Sequence, residues 1–228
     1  VSESLKNDTE ELFNIDTEIY VIPNFINLEK YPASKDEGNR GIIAKDDEKI
    51  ICHISNFRKV KRISDVLNVF DGINKAIPSK LLMVGEGPEK ENAEKLCKEL
   101  NIKDSVYFFG NTNETTNILS FSDLFLLTSS TESFGLAALE AMASYVPVIS
   151  TNAGGLPEVN INGESGYMSD VGDLNGMIKN SLQILSDNKV NDKFKDNARK
   201  QAEKYDIHKI VPFYESIYIM AVNNLKKQ

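Results

Sequence analysis

The sequence predicts the α/β class, a doubly wound parallel sheet with helices on both faces. Short apolar runs alternate along the chain with longer stretches of helical periodicity. Those runs are apolar along their whole length rather than at every second position, as expected of strands covered on both sides. A third observation marks where such a sheet would work. The apolar run Leu124 to Leu127 is followed by a small-residue loop, Thr128 to Ser133, and then by the good helix formers Leu136 to Ala143.

Taken in order, residues 1–18 read as a polar amphipathic helix followed by a linker. Ile19 to Ile22 is a short β-branched and aromatic run, and Pro23-Asn24-Phe25-Ile26-Asn27 follows it. Residues 28–48 are charged and contain Pro32, Gly38 and Gly41, which predicts a loop or mobile insertion. Strands are then expected at Ile50–Ile54, Lys80–Val84, Ser105–Phe109, Leu124–Leu127, Val146–Ser150 and Gly166–Met168. Helices are expected at Ile63–Ile77, Glu89–Leu100, Glu114–Ser120, Leu174–Leu185 and Lys189–Tyr205. Right-handed crossovers make this a Rossmann-like domain, whose ligands bind beyond the carboxyl ends of the strands. A last helix, about Ile210 to Lys226, carries the apolar stripe Ile210, Phe213, Tyr214, Ile217, Tyr218 and Ala221.

The 228 residues suffice for one large domain or two small ones. A net charge of −8 argues against nucleic acid or an anionic membrane surface as a main partner, so any phosphate site must be local. No apolar run has the length of a membrane span and no signal peptide opens the chain. Cys52 and Cys97 lack metal-ligand spacing and read as reduced core thiols of a cytoplasmic protein. The first residue is Val1 rather than Met, which suggests a piece of a longer polypeptide. Self-association is left open.

The segment TSSTESFGLAALEAM, Thr128 to Met142, carries the chemistry. A helix start presents unpaired N–H groups and partial positive charge, a natural phosphate site. Ser133 is the candidate N-cap, and Gly135 would let a ligand approach the backbone. Glu132 and Glu140 bracket this junction, eight residues or roughly 12 Å of helical rise apart. That span suits a ligand with hydroxyls at both ends and a diphosphate between, such as a nucleotide-sugar. As an isolated pair, they would read simply as surface glutamates.

Set in ESFGLAALE, this Glu-x7-Glu pattern resembles the signature of glycosyltransferase family 4, the retaining GT-B enzymes. The resemblance implies that Glu132 holds sugar hydroxyls and Glu140 the ribose diol, with amides around Phe134, Gly135 and Leu136 meeting the diphosphate. Family members carry Gly-Arg and then a lysine five residues beyond that arginine. In Ser55-Asn56-Phe57-Arg58-Lys59-Val60-Lys61-Arg62, Lys61 holds the lysine place, but Asn56 stands where the arginine would be. Either Arg58 restores the charge or Asn56 contributes a hydrogen bond only. The strings HISNFRKVKR, LLMVGEGPEK, TESFGLAALEAMA and TNAGGLPEV are similar to the branch of the family that makes N-acetylglucosaminyl malate for bacillithiol. That similarity implies transfer of GlcNAc from UDP-GlcNAc to L-malate by residues 20–225 acting as the donor half. Residues 1–18 would then be a helix and linker from an acceptor domain that binds most of the malate, 19–206 the nucleotide-sugar domain, and 207–228 a helix crossing back. Packing of that helix on its own sheet is the equal alternative. A different acceptor, a UDP-sugar-binding module without turnover and a UDP-GlcNAc 2-epimerase are the other readings.

Val84-Gly85-Glu86-Gly87-Pro88 lacks the third glycine of a dinucleotide loop, and Pro88 reads as the first residue of a helix. In the family this loop lies near the nucleotide. Gly110 and Asn111 follow the third strand, where related enzymes hold the base. Gly154-Gly155 would allow a tight turn facing phosphate. His53, in mid-strand, reads as a satisfied core residue. No Asp-x-Asp motif is present, and neither metal nor other cofactor is expected.

Overall fold

The computed structural model describes residues 1–32 and 37–225. Six strands, β1 (Lys49–Ile54), β2 (Ser79–Val84), β3 (Val106–Gly110), β4 (Leu124–Leu127), β5 (Val148–Thr151) and β6 (Gly166–Ser169), form one sheet. All its pairings are parallel, in the order β3-β2-β1-β4-β5-β6. Helices α1 (Glu3–Phe13), α2 (Glu37–Ile43), α3 (Ile63–Ala76), α4 (Lys90–Glu99) and α5 (Thr115–Ser120) are followed by α6 (Leu136–Ala143) and α7 (Leu156–Val159). The chain continues through α8 (Leu174–Leu185), α9 (Asn188–Ala202) and α10 (Ile207–Leu225). The expected doubly wound fold is present.

Successive residues of a strand feed opposite cores, which is why the strands are apolar throughout. Ile51, Leu81, Met83 and Ile149 pack with Phe70 of α3, Cys97 of α4 and Met177 of α8. Their neighbours Cys52, Leu82, Phe125 and Val148 pack on the other side with Leu139 and Met142 of α6 and Ala198 of α9. Chain order reverses between β1 and β4, where Ile51 pairs with Leu124 and Cys52 with Phe125. Loops leaving two neighbouring strands toward opposite sides open a crevice at such a point. Here those are the loops bearing Lys61 and Glu132.

Several local expectations are corrected. Ile19–Ile22 forms no strand; Ile26 makes a single bridge to Asp206, with its N–H donating to the Tyr205 carbonyl and its carbonyl accepting from Ile207. The stretch 28–48 is not simply a loop, although its residues 33–36 lie outside the described residues. It holds a 3₁₀ turn at Leu28–Lys30 and helix α2, anchored where Arg40 donates to the Phe121 and Glu48 carbonyls. Pro88 lies in the turn two residues before α4 rather than at its first position. β5 begins at Val148, after Pro147, because proline has no N–H for the ladder; its carbonyl still accepts from Phe125. α9 stops at Ala202 and gives way to a 3₁₀ turn. α10 starts at Ile207, three residues early, and Lys226 lies outside the described residues. Of its apolar stripe Ile210 is buried, whereas Phe213 and Tyr218 are 59% and 66% exposed; Ile210, Phe213 and Ile217 border Tyr20–Pro23, and Tyr214 meets Phe25 edge-on. Among the described residues no helix is long and apolar enough to cross a membrane.

A buried ion network closes the amino end of the sheet. Asp123, which precedes β4, accepts from the Ile50 N–H at 2.9 Å and pairs with Arg40 at 2.9 Å and Lys195 at 3.4 Å. Burial works to raise its pKa, but the charges of Lys195 and Arg40 and the Ile50 N–H outweigh it and hold the carboxyl below its ordinary value. The stabilisation is therefore present above the unfolded-state pKa and is lost as pH falls through the lower folded value. Asp123→Asn is expected to cost about 3 kcal/mol at neutral pH in urea unfolding, and the gap from wild type to shrink below about pH 4. A gap constant down to pH 2 would contradict this.

Candidate functional site

The crevice at the carboxyl ends of β1 and β4 is a cleft of about 560 Å³. Its walls come from four loops that lock onto one another through backbone contacts. The loop after β1 continues the ladder, with the Ser55 N–H donating to the Val84 carbonyl and the Phe57 N–H to the Glu86 carbonyl. Gly85 makes this approach possible. It sits at φ +127, and a Cβ there would lie 1.8 Å from the Ser55 carbonyl oxygen.

The basic loop turns through a 3₁₀ segment, Lys59–Lys61, and is clamped by the loop after β4. Thr128 Oγ1 donates to the carbonyls of Lys61 and Arg62 at 3.0 and 3.1 Å, and the Ser130 N–H to that of Val60 at 2.8 Å. Fixed in this way, Lys61 reaches Glu132: its ammonium donates to Oε1, which also accepts from Ser129 Oγ at 2.9 Å. The Glu132 carbonyl in turn accepts from the Gly155 N–H at 2.8 Å.

Helix α6 opens into the cleft. Its N-cap is Gly135 (φ 98, ψ 48), not the expected Ser133, and no side chain caps it. A left-handed entry requires glycine there, and Leu156 Cδ2 lies 2.5 Å from where a Cβ would sit. Ser133 is instead exposed, its carbonyl accepting from Ser2 Oγ at 2.6 Å. The first intrahelical bond at this end runs from the Leu139 N–H to Gly135, so the first-turn amides stay available to an anion beside Leu136 and Ala137.

Glu140 lines the same cleft one turn further on, half-buried, and burial raises its pKa. Its charge reaches Tyr31, whose hydroxyl is pushed up to about 12, first by burial and then by Glu140, against a hydrogen bond with Thr116.

The structure thus brings Asn56, Lys61, Asn111, Glu132, Gly135, Leu136 and Glu140 to one cleft. It does not bring the Arg58 side chain there. Arg58 is exposed, precedes the 3₁₀ turn and lies outside the lining, whereas Asn56 lies within it. Gly110 stands behind the wall at φ +66, its carbonyl accepting from Gly85. Phe134 is 2% exposed and packs edge-on against Tyr205 at 5.5 Å, so its ring anchors the loop and only its backbone faces the helix entry. Gly154-Gly155 does not face the cleft: a Cβ on Gly154 would lie 2.0 Å from the Glu132 carbonyl oxygen, which makes this turn the backing of the Glu132 loop.

Ser55, Thr112, Thr115 and Ser129 were not singled out from the sequence; the first three line the cleft and the last braces Glu132. For Ser55 the signal was available, as the first polar residue beyond β1. His53 is the satisfied core residue expected. It is fully buried, with Nδ1 2.8 Å from the Leu126 carbonyl and Nε2 2.7 Å from Ser55 Oγ, and burial lowers its pKa to about 4. Among the described residues no group of three or more His, Cys, Asp or Glu is placed to hold a metal ion.

Residues 35–201 match the family model for glycosyl transferases group 1. The chain is 42% identical over 222 residues to an N-acetyl-alpha-D-glucosaminyl L-malate synthase of Bacillus anthracis, covering 96% of this chain and 58% of that protein. It therefore spans a little over half the length of that relative. A glycosyltransferase from Rickettsia africae superposes with a TM-score of 0.87 at 21% identity, over 98% of this chain and 63% of that one, which speaks to the fold. A Staphylococcus aureus TarM mutant, solved with fondaparinux, alpha-GlcNAc-glycerol and UDP, superposes at 0.83 with 26% identity, over 96% of this chain and 43% of that one. With its signature carboxylates gathered in the switch-point crevice and the family model spanning most of its length, the chain belongs to the group 1 glycosyl transferases.

Proposed function

We propose that these residues form the donor half of a retaining glycosyltransferase that moves GlcNAc from UDP-GlcNAc to L-malate. One observation carries the reading: Lys61, the uncapped entry of α6 and the carboxylates Glu132 and Glu140 line a single cleft. The diphosphate lies at the helix entry, the ribose diol donates to Glu140 and the hexose hydroxyls donate to Glu132. The similarity to the Bacillus anthracis synthase supports GlcNAc and malate as the transferred sugar and its acceptor.

In the reaction the bond between the anomeric carbon and the diphosphate oxygen breaks, and UDP leaves with both electrons. The malate hydroxyl attacks the face the diphosphate leaves, and its proton passes to the departing phosphate. The protein's task is to stabilise charge that grows on the diphosphate more in the transition state than in the bound donor. Lys61 and the amides of Leu136 and Ala137 are placed for this, each contact contributing roughly 2–4 kcal/mol by analogy with oxyanion donors. This positive charge is supplied by the chain itself, so turnover is expected to be independent of added metal. Two free, buried thiols fit a reducing compartment, the cytoplasm.

Malate meets mostly residues outside these 228, so the chain alone binds the donor without transferring sugar. Calorimetry with UDP and UDP-GlcNAc, beside an assay for N-acetylglucosaminyl malate, tests both parts. Binding of both nucleotides and no product is expected. Failure to bind UDP would sink the donor assignment, and product from the chain alone would sink the placement of malate.

A further inference from the structure

The donor reading gives Lys61 to the diphosphate and Glu132 to the hexose, yet the structure couples the two residues to each other. The Lys61 ammonium and Glu132 Oε1 are in direct contact, with only 18% and 13% of their side chains exposed. Glu132 is further held by Ser129 Oγ at 2.9 Å. Ser129 itself is fully buried and fixed through its carbonyl, which accepts from Thr151 Oγ1 at 2.6 Å. Among the described residues lining the cleft, Lys61 is the single lysine or arginine. The cation that a diphosphate needs is therefore already neutralised by a carboxylate a few ångströms from where the anion would lie.

Two consequences follow from elementary electrostatics. An anion that draws on Lys61 competes with Glu132 for it and is repelled by the carboxylate charge, in a site too enclosed for water to screen fully. Once the ammonium is drawn away, a mostly buried carboxylate remains with Ser129 as its donor, and an under-satisfied buried charge is costly. A ligand that ends at the diphosphate bears that whole cost. A ligand that carries a hexose beyond the diphosphate supplies hydroxyl donors to Glu132 in the same event and offsets it.

We propose that the Lys61–Glu132 ion pair, braced by Ser129, sets selectivity for the sugar-bearing nucleotide over the nucleoside diphosphate that the reaction leaves behind. Glu132 is then more than a sugar ligand. It weakens binding of the product, which favours product release and turnover when the two nucleotides are present together. This inference rests on the donor-site reading, and its test separates the two.

UDP, UDP-GlcNAc and inorganic pyrophosphate are titrated calorimetrically into the wild-type chain and into Glu132→Gln, which keeps the shape and removes the charge. Circular dichroism melting confirms that the variant is folded. UDP and pyrophosphate are expected to bind roughly three- to tenfold tighter to the variant, while UDP-GlcNAc binds no tighter, so that the preference for the sugar nucleotide narrows or inverts. In a Lys61→Ala background the same substitution should give a smaller gain, because only the direct repulsion by the carboxylate is then relieved and no ammonium is freed. Unchanged or weaker binding of UDP and pyrophosphate by Glu132→Gln overturns the proposal, as does an equal gain for UDP-GlcNAc. Tighter pyrophosphate binding by the variant with no UDP binding by either protein would leave the competition of Glu132 with anions for Lys61 standing, but would remove the nucleotide reading and with it the selectivity. If neither anion binds either protein, both fall.

Discussion

Glu140→Ala is expected to weaken UDP binding by about ten- to a hundredfold, the worth of one or two hydrogen bonds to a charged acceptor. The side chain stands on α6 beyond the uncapped first turn proposed for the diphosphate, where a carboxylate can accept from both hydroxyls of a ribose. Burial adds a pH signature, because the folded protein raises this pKa rather than lowering it. Ionising Glu140 therefore costs stability above the raised value, and that cost disappears on protonation as pH falls through it. Ligand binding runs the opposite way. UDP affinity should start to fall, on acidification, at a pH higher than that at which an exposed glutamate titrates, because only the carboxylate accepts from both hydroxyls. Glu140→Gln should lose this step while folding normally. Calorimetry across that range reads both effects, and wild-type affinity in Glu140→Ala would remove the residue from the site.

Gly154→Ala should be strongly damaging, although Gly154 does not line the cleft. Its φ of +58 is already unfavourable for alanine, and the added Cβ would lie 2.0 Å from the Glu132 carbonyl oxygen. That oxygen cannot move freely, because it accepts from the Gly155 N–H at 2.8 Å. The loop bearing Glu132 must shift, and a loss of about 2–4 kcal/mol is expected. Weakened UDP-GlcNAc binding should accompany it, as Glu132 leaves its place beside Lys61. Gly41→Ala is the control: it lies in α2 with nothing within 4 Å of the new Cβ, and should melt at or slightly above the wild-type temperature. Equal melting of the two variants would refute the backing role of the Gly154 turn.

Apart from the four-residue helix α7, which the sequence reading missed, the strands and α-helices from Lys49 to Leu185 were legible in the sequence to within a residue or two. Their alternation is a local consequence of which residues must be covered on both faces. The Glu-Ser-Phe-Gly segment was legible too, since strand, loop, glycine and helix follow one another without a break. What failed was cap chemistry and everything held by distant contacts. Ser133 had the right side chain for an N-cap, but the left-handed turn at Gly135 moved the helix start two residues on. α2 is short, and its fixed place depends on Arg40 reaching Phe121 and Asp123, far along the chain.

The sequence alone determined that this is a parallel α/β domain with a strand–loop–helix junction flanked by two carboxylates, because periodicity and composition act over a few neighbouring residues. Only the tertiary structure decided that Asn56 rather than Arg58 lines the cleft, and that Gly154 backs Glu132 instead of facing a phosphate. It also decided that Lys61 and Glu132, 71 positions apart, share one ion pair. Those outcomes depend on how loops from different strands meet at the switch point, and no local pattern encodes that meeting.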